Sequence, residues 1–396
     1  MPEGQGSAGS AGDRIAIIDV LRGLVIVLMA LDHIREFTHA SGYAYNPLSP
    51  TQSTPLIYAT RWITHLCAPT FVFLAGASVR LQSQRLTKGQ LAQRLVTRGL
   101  WLVFLELSVI GFAWSFSLPF LEFLQVIWAI GWSMVLLATL VWLPPVASLI
   151  IGAAVIVASS GLFAVKPGNL GDWAPLWMVL YRGGAFFPSF DHAIGFIAYP
   201  ILPWFGVMAL GYGMGAVFKS PRRSTWLAAI GLSMCVAFLV LRLPNLYGDP
   251  RPWTPKEGFW TIGAILDVSK NPPSLDFVLV TLGIVLTLAP AIERLPRAVT
   301  EFFRTFGSAP LMAYVAHIVV MHAYAILARL AAGGTLAPMT DTMRAFMFDT
   351  ERFGTFSLSI GWVYVVWLAI IATIYPLCRW WSKVKARRRD WWLSYL

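Results

Sequence analysis

Charged residues are scarce in this chain. They make up 12% of its 396 residues, whereas soluble domains carry about 25%. Hydrophobic residues account for 57% of the sequence, and the mean hydropathy is +0.66. This balance excludes an ordinary soluble protein and predicts an integral membrane protein.

Cysteine is rare, and nucleotide-binding motifs are missing. Cys67, Cys235 and Cys378 show no pair spacing, so we expect neither a disulfide nor a metal site. The sequence has no GxxxxGK[ST] motif, which argues against ATP-driven transport. The net charge of +11 collects in short loops and the C-terminal tail, so we expect membrane lipids as partners and no nucleic acid.

Apolar segments of spanning length predict an all-α polytopic membrane protein with about ten transmembrane helices. Eighteen of the 30 Lys and Arg residues fall on the predicted inner side and seven on the outer side. This asymmetry predicts cytoplasmic N- and C-termini, and the expected location is a bacterial inner (cytoplasmic) membrane. The segments cover residues 15–37, 56–82, 96–118, 121–143, 146–164, 193–218, 225–243, 275–292, 305–330 and 354–380.

The predicted domain organisation has three parts. Residues 1–14 are rich in Gly and Ser and predict a disordered cytoplasmic tail rather than a signal peptide. Residues 15–380 form the transmembrane domain, and residues 381–396 form a basic cytoplasmic tail.

The first apolar segment contains Asp19, Arg22, Asp32 and His33, which are costly inside a membrane. Eleven residues return a helix almost to the same azimuth, so Arg22 and His33 share one face, about 16 Å apart along the axis. Asp32 points to a different side of this helix from His33. Spacing alone leaves open whether Arg22 snorkels, pairs with Asp19 or clamps a phosphate or carboxylate. It also leaves open whether His33 is structural or a general base.

Other polar residues interrupt the apolar segments. His65 lies four residues after Arg61 and four before Pro69, which should kink its helix. Tyr314 and His317 are three residues apart and share a helix face. For the remaining candidates, spacing alone favours loop, capping or cross-helix hydrogen-bond roles: Glu106, Gln125, His39, His192 and His322.

At these residues the chain resembles a known family. The stretch DVLRGLVIVLMALDH has the arginine–ten residues–histidine pattern of the first helix in membrane-bound acyltransferase-3 proteins. More widely, the chain resembles the heparan-alpha-glucosaminide N-acetyltransferase catalytic-domain family, through CAPTFVFLAGAS, LQVIWAIGWSM, SKNPPSLDF and APLMAYVAHI. The matching stretches follow the family's order and run from about Arg14 to His322.

The resemblance implies transfer of an acetyl group from cytoplasmic acetyl-CoA to an extracytoplasmic acceptor, typically a sugar amine or hydroxyl. It also implies a catalytic histidine. His33 matches the essential histidine of the acyltransferase-3 relatives, and His39, in an H-A-S context, matches that of the lysosomal relatives. Those lysosomal relatives have Asn at the His33 position and Asp at the His65 position. We rank His33 first because of its spacing from Arg22.

The resemblance and the charge pattern together assign expected roles to other residues. We expect Asp32 and His65 beside the catalytic histidine. A homodimer is one assembly compatible with such a protein. The expected acyl-CoA ligands are Arg22, Arg61, Arg80 and Arg98, and the expected substrate contacts are Gln125, Lys270, Asn271, Ser274, Tyr314 and His317.

The predicted function is therefore a transmembrane acyltransferase. Its histidine would act as general base or carry the acyl group itself, and the sequence leaves this choice open. The alternative is a proton-coupled small-molecule or anion transporter that uses the buried His and Arg residues. The missing internal repeat weighs against a transporter. A membrane scaffold without activity is a third hypothesis.

Overall fold

The computed structural model describes residues 15–186, 195–388 and 390. In this part of the chain helices dominate, which confirms the all-α prediction. The predicted tail at 1–14, His192 and residues 391–396 lie outside the described residues. The helices are α1 (Ala16–Thr38), α2 (Pro55–Ile63), α3 (Cys67–Gln82), α4 (Lys88–Leu105), α5 (Gly111–Ser115), α6 (Val126–Leu140), α7 (Pro145–Gly161), α8 (Ala174–Trp177), α9 (Ile201–Met214), α10 (Arg223–Arg242), α11 (Phe259–Leu266), α12 (Leu275–Glu293), α13 (Arg297–Gly307), α14 (Pro310–Ala331), α15 (Thr342–Phe348) and α16 (Ile360–Arg387).

Each predicted apolar segment contains a helix. Within the described residues, eight helical stretches are long and apolar enough to cross a membrane. The other two predicted segments hold α1, which carries several charged residues, and α6, which has 15 residues. The eight stretches are Pro55–Gln82, Lys88–Ser115, Pro145–Ala164, Ile201–Lys219, Arg223–Arg242, Leu275–Glu293, Pro310–Ala331 and Ile360–Arg387.

Local sequence signals explain several helix boundaries. The side chain of Thr87 accepts a hydrogen bond from the Gln90 N–H, and Gln90 reciprocates in a capping box that starts α4. A 3₁₀ turn at Thr64–Leu66 separates α2 from α3, and Pro69 lies in the first turn of α3. The interruption lies just before Pro69, which cannot donate a backbone hydrogen bond and for which the sequence predicts a kink.

Helix α1 lies at the centre of the helix assembly. Most of its 23 residues are buried, and it packs against α3, α12, α13, α14 and α16. Its contact with α13 is very close because two glycines meet there. A Cβ atom on Gly23 would lie 1.7 Å from the carbonyl oxygen of Phe303, and one on Gly307 would lie 1.7 Å from that of Asp19.

A small sheet, which was not predicted, lies next to the start of α6. Its strands are β1 (Glu122–Leu124), β2 (Gly184–Phe186) and β3 (Gly195–Ile197), in the order β1-β3-β2. Strand β1 is parallel to β3, and β2 is antiparallel to it. The backbone N–H of Ala198 also donates to the carbonyl of Leu124 at 3.0 Å. The sheet therefore fixes the backbone just before Gln125.

Replacing Gly23 with alanine should destabilise the protein, because α1 and α13 would have to separate to admit a Cβ atom. We expect a loss of about 3 kcal/mol, measured as a lower Tm of the detergent-purified protein. Gly89 is the control, since it is helical and a Cβ there would meet nothing within 4 Å. Gly89→Ala should leave the Tm unchanged or slightly higher. A wild-type Tm for Gly23→Ala would contradict the close contact.

Candidate functional site

A cationic cavity of about 530 Å³ surrounds the first turns of α1. This volume is within the range of sites for small-molecule ligands. Asp19 supplies the one carboxylate among the described lining residues, and the deep wall is apolar. The cavity therefore suits a large ligand with several negative charges. Its cations are Arg22, Arg85, Arg94, Arg98, Lys219 and Lys385.

Arg22 is held in a fixed position in the wall of this cavity. Its guanidinium pairs with Asp19 at 3.5 Å, donates to the carbonyl of Leu74 at 3.0 Å and donates to the hydroxyl of Ser78. The side chain is 15% exposed. The i−3 pair with Asp19, one of the alternatives from the sequence, is therefore present, and the same guanidinium still borders the cavity.

The four arginines predicted to bind acyl-CoA do not lie together. Arg22 and Arg98 both line the cavity. Arg80 instead donates to the hydroxyl of Ser83 at the end of α3, and its Cβ packs beside Gly215. Arg61 belongs to a separate cluster around Asp32.

A buried ion cluster lies near the other end of α1. One carboxylate oxygen of Asp32 accepts from Arg35 at 3.0 Å, and the other accepts from Arg61 at 3.1 Å. Arg35 also donates to the hydroxyl of Ser41 at 2.9 Å. Arg35 was not predicted as a site residue, although its spacing of three residues from Asp32 was a usable signal. Asp32 thus pairs with arginines rather than with its neighbour His33, as its direction on the helix predicts.

His33 and His317 form a buried pair between α1 and α14. The Nδ1 atom of His33 lies 2.8 Å from Nε2 of His317, and Nδ1 of His317 lies 3.1 Å from the carbonyl oxygen of Ala313. A carbonyl can only accept, so in the neutral pair Nδ1 of His317 donates to it, and Nδ1 of His33 donates to His317. The lone pair of His33 is then on Nε2, where it can act as a base.

Aromatic rings fix the orientation of this pair. The ring of Trp114 meets His33 edge-on, with centroids 4.7 Å apart, and Tyr314 meets His317 at 5.3 Å. Tyr314 and His317 were predicted to share a helix face, and their contact confirms this. Trp114 was not predicted, because nothing in its local sequence indicates a partner on α1.

His39 and His33 differ in which ring nitrogen carries the hydrogen of the neutral imidazole. Its Nδ1 accepts the backbone N–H of Ser41 at 3.0 Å and lies 2.8 Å from the Ser41 hydroxyl. The neutral ring therefore has its hydrogen on Nε2, which can donate but cannot take a proton. Burial and the charge of Arg35 lower the pKa of His39. In this geometry His39 caps the turn that follows α1.

His65 and Gln125 are both buried, at 2% and 7% exposure. The ring of His65 packs against Phe277 with centroids 5.6 Å apart, and its Nδ1 has no hydrogen-bond partner among the described residues. Gln125 precedes α6, and its backbone N–H donates to Glu106 at 2.7 Å. Glu106 was noted in the sequence as a polar interruption but not as a site residue.

The outer-loop residues Lys270, Asn271 and Ser274 have distinct surroundings. The Lys270 ammonium lies 5.5 Å from the centre of the Tyr199 ring and within electrostatic range of Asp32. The Asn271 amide, oriented to satisfy its hydrogen bonds, donates to two backbone carbonyls. Ser274 caps α12 and donates to Asp249 at 2.7 Å, so its hydroxyl has a structural role.

Replacing Asp32 with asparagine should destabilise the protein, because it removes the buried carboxylate that joins the guanidinium groups of Arg35 and Arg61. We expect a loss of about 3 kcal/mol, measured as a lower Tm. The control is Glu301→Gln, which breaks an exposed pair with Arg304 and should cost less than about 1 kcal/mol. Equal losses of stability in the two variants would contradict a tightly paired Asp32.

The imidazole of His39 should titrate below the usual value of about 6.5, because burial and Arg35 lower its pKa. Neutral His39 then contributes stability that is complete above pH 6.5 and is lost as the pH falls toward the lowered pKa. NMR of the histidine-labelled protein measures the titration, and His39→Gln assigns the signal. A midpoint above 6.5 would contradict the turn-capping geometry.

The family model described as heparan-alpha-glucosaminide N-acetyltransferase, catalytic, matches residues 14–242, which is more than half of the chain. No curated protein matches the chain. The matched region includes α1, most of the residues that line the cavity and the Asp32 cluster. The family supports a membrane acetyltransferase-type function. The chain belongs to the heparan-alpha-glucosaminide N-acetyltransferase catalytic-domain family.

Proposed function

We propose that this protein moves an acetyl or other short acyl group from cytoplasmic acyl-CoA to an extracytoplasmic sugar, or to a related amine or hydroxyl acceptor. The observation that carries the proposal is the arrangement along α1. A cationic cavity surrounds Arg22 at one end, and the His33–His317 pair lies on the same helix face, about 16 Å farther along. This supports binding of a phosphate-rich donor at one end and proton transfer at the other.

The cavity has the chemistry that CoA requires. CoA carries three phosphate groups, and guanidinium groups bind phosphate through charge-assisted, often bidentate hydrogen bonds. Arg85, Arg94 and Lys219 border the cavity beside Arg22 and Arg98. The charge asymmetry of the sequence predicts that this side is cytoplasmic, where acyl-CoA is found.

In the proposed reaction, Nε2 of His33 accepts a proton from the acceptor amine or hydroxyl. The acceptor nitrogen or oxygen forms a bond with the thioester carbonyl carbon, and the carbon–sulfur bond breaks. The proton then passes from His33 to the departing thiolate, so that the enzyme ends unchanged. His317 supports the transient imidazolium of His33, because its Nε2 accepts the Nδ1–H of His33 throughout.

The acceptor would approach from the opposite side, where α1 ends at Thr38. Lys270 lies within electrostatic range of both His33 and Asp32, and Asp32 is paired with Arg35 and Arg61. Since both arginines are already paired with Asp32, their role in the proposal is to hold the end of α1 and the end of α2 in position. Lys270, whose ammonium lies over the Tyr199 ring, would contact the acceptor.

Replacing His33 with alanine should lower kcat for acyl transfer at least about 100-fold, because it removes the general base. Affinity for acetyl-CoA should stay within about twofold, since His33 does not line the cavity. The assay uses purified protein, labelled acetyl-CoA and a panel of amino sugars, with CoA release followed in parallel. The matched control is His39→Ala, which removes a histidine whose neutral ring cannot accept a proton at Nε2.

Two results would contradict the proposal. Activity lost in His39→Ala but kept in His33→Ala would reverse the assignment of the base. Counterion-driven uptake of a small molecule or anion into proteoliposomes, without consumption of acetyl-CoA, would favour the transporter alternative. Labelled acetyl that remained on the wild-type protein and was absent from His33→Ala would show that His33 carries the acyl group rather than acting as a base.

A further inference from the structure

A second cavity, of about 160 Å³, lies among the loops that follow α1 and α10. Residues of both loops and of α11 line it. Because both termini are predicted to be cytoplasmic, these two loops should lie on the extracytoplasmic side. Among the described residues, this outer cavity shares no lining residue with the cationic cavity, so it is a separate site. Its aromatic and charged lining residues are Arg242, Arg251, Trp253, Lys256, Trp260 and Asp267.

One buried arginine holds the walls of the outer cavity together. Arg242, at the end of α10, is 2% exposed. Its guanidinium donates to the loop carbonyl of Arg251 at 2.7 Å and to three carbonyls at the end of α11, or just after it, at 2.9–3.1 Å. A buried cation bonded to so many carbonyls fixes the backbone around it. The outer cavity is therefore a preformed feature of the fold.

Two tryptophan rings in its wall are also held in place. The indole N–H of Trp253 donates to the carbonyl of Arg242 at 2.9 Å. The backbone of Trp253 exchanges hydrogen bonds with the side-chain amide of Asn245 at 3.0 and 3.1 Å. The ring of Trp260 meets Tyr58 edge-on, with centroids 5.8 Å apart. Because both rings are oriented in advance, a ligand that packs on them loses less conformational entropy when it binds.

Helix α2 connects the outer cavity to the helix that carries His33. The hydroxyl of Tyr58 and the indole N–H of Trp62 donate to backbone carbonyls of α11 at 2.7 and 2.9 Å. Arg61, on the same helix, pairs with Asp32 at 3.1 Å. The wall formed by α11 is thus held against the elements that surround the proposed base.

The loop that follows α10 makes a second connection. The guanidinium of Arg251 donates to the hydroxyl of Ser269 at 3.2 Å. Ser269 directly precedes Lys270, which lies within electrostatic range of His33. Arg251 itself lies within electrostatic range of His65. A ligand in the outer cavity would therefore lie beside the segment that is proposed to contact the acceptor.

The size and lining of the outer cavity match one sugar ring. Its volume is below the range of about 300–1,000 Å³ for sites that enclose a whole small-molecule ligand, so it suits one unit of a larger ligand. A pyranose ring packs its C–H groups on aromatic faces, whereas its hydroxyls need donors and acceptors. Trp253 and Trp260 supply the aromatic surface, and charged side chains supply both kinds of hydrogen-bonding group: Arg251, Lys256 and Asp267.

We propose that the outer cavity binds a further sugar unit of the acceptor, beyond the unit that is acylated. The protein would then prefer the end of an oligosaccharide or glycan chain to a free monosaccharide. This inference rests on the proposed function, because it takes a sugar as the acceptor, and the cavity adds binding without taking part in the chemistry.

The test compares two acceptors in the acetyl-transfer assay. They are glucosamine and a β1→4-linked tetrasaccharide of N-acetylglucosamine with glucosamine at its non-reducing end. Trp260→Ala should raise KM for the tetrasaccharide about tenfold, and Lys256→Ala, at an exposed position, about threefold. Since a remote contact stabilises the ground state and the transition state equally, kcat should stay within about twofold. KM for glucosamine should also stay within about twofold.

Two variants in another outer loop are matched controls. Trp173 is 70% exposed and Lys166 is exposed, and neither lines the outer cavity. Trp173→Ala and Lys166→Ala should change KM for neither acceptor. Titration calorimetry of the detergent-purified full chain without acyl-CoA measures tetrasaccharide binding directly. We expect this affinity to fall in Trp260→Ala by the same factor as KM rises.

The outcomes separate this inference from the proposed function. Equal KM values of the wild type for the two acceptors, or equal effects of Trp260→Ala on both, would overturn the sugar subsite and leave the transferase intact. A wild type that transferred acetyl to neither acceptor would count against the proposed function. Calorimetry would then decide on the cavity alone, and a tetrasaccharide that did not bind, or bound equally to Trp260→Ala, would overturn the subsite.

Discussion

The ionisable groups of α1 need partners inside a membrane protein, and much of the structure is arranged to supply them. Unpaired charges in a low-dielectric interior are very costly. Arg22 therefore bonds to Asp19 and to groups on α3, while Asp32 joins Arg35 to Arg61 on α2. Because partners must surround α1 on several sides, the helix is central and buried rather than exposed to lipid.

The sequence predicted features that depend on a single helix. The shared face of Arg22 and His33 follows from an uninterrupted α1, and the break before α3 follows from Pro69. Contacts between distant segments could not be predicted. His33 and His317 are 284 residues apart, so their pairing depends on how α1 and α14 pack. The same limit applies to Asp32 with Arg61 and to the small sheet beside α6, whose strands have only three residues each.

Hydrogen-bond geometry separates the two histidines that the family resemblance left as rivals. A neutral histidine can act as a base only through a ring nitrogen with a free lone pair. The backbone carbonyl of Ala313 sets the tautomer of His317, which in turn sets that of His33. The backbone N–H of Ser41 sets the opposite tautomer in His39. The two assignments therefore depend on backbone groups, whose positions are fixed by the fold.

The distribution of charge along the proposed donor path follows the cost of burying ions. The cations lie in the cavity at one end of α1, where the phosphates of the donor would stay near water. The deeper polar residues Gln125, Tyr314 and His317 are neutral donors and acceptors, which would suit the uncharged thioester end of the proposed donor. Glu106 is the exception, and the first N–H of α6 compensates one of its oxygens. Its carboxyl group thereby joins the helical stretch of α4 and α5 to the start of α6, which gives it a role in the fold.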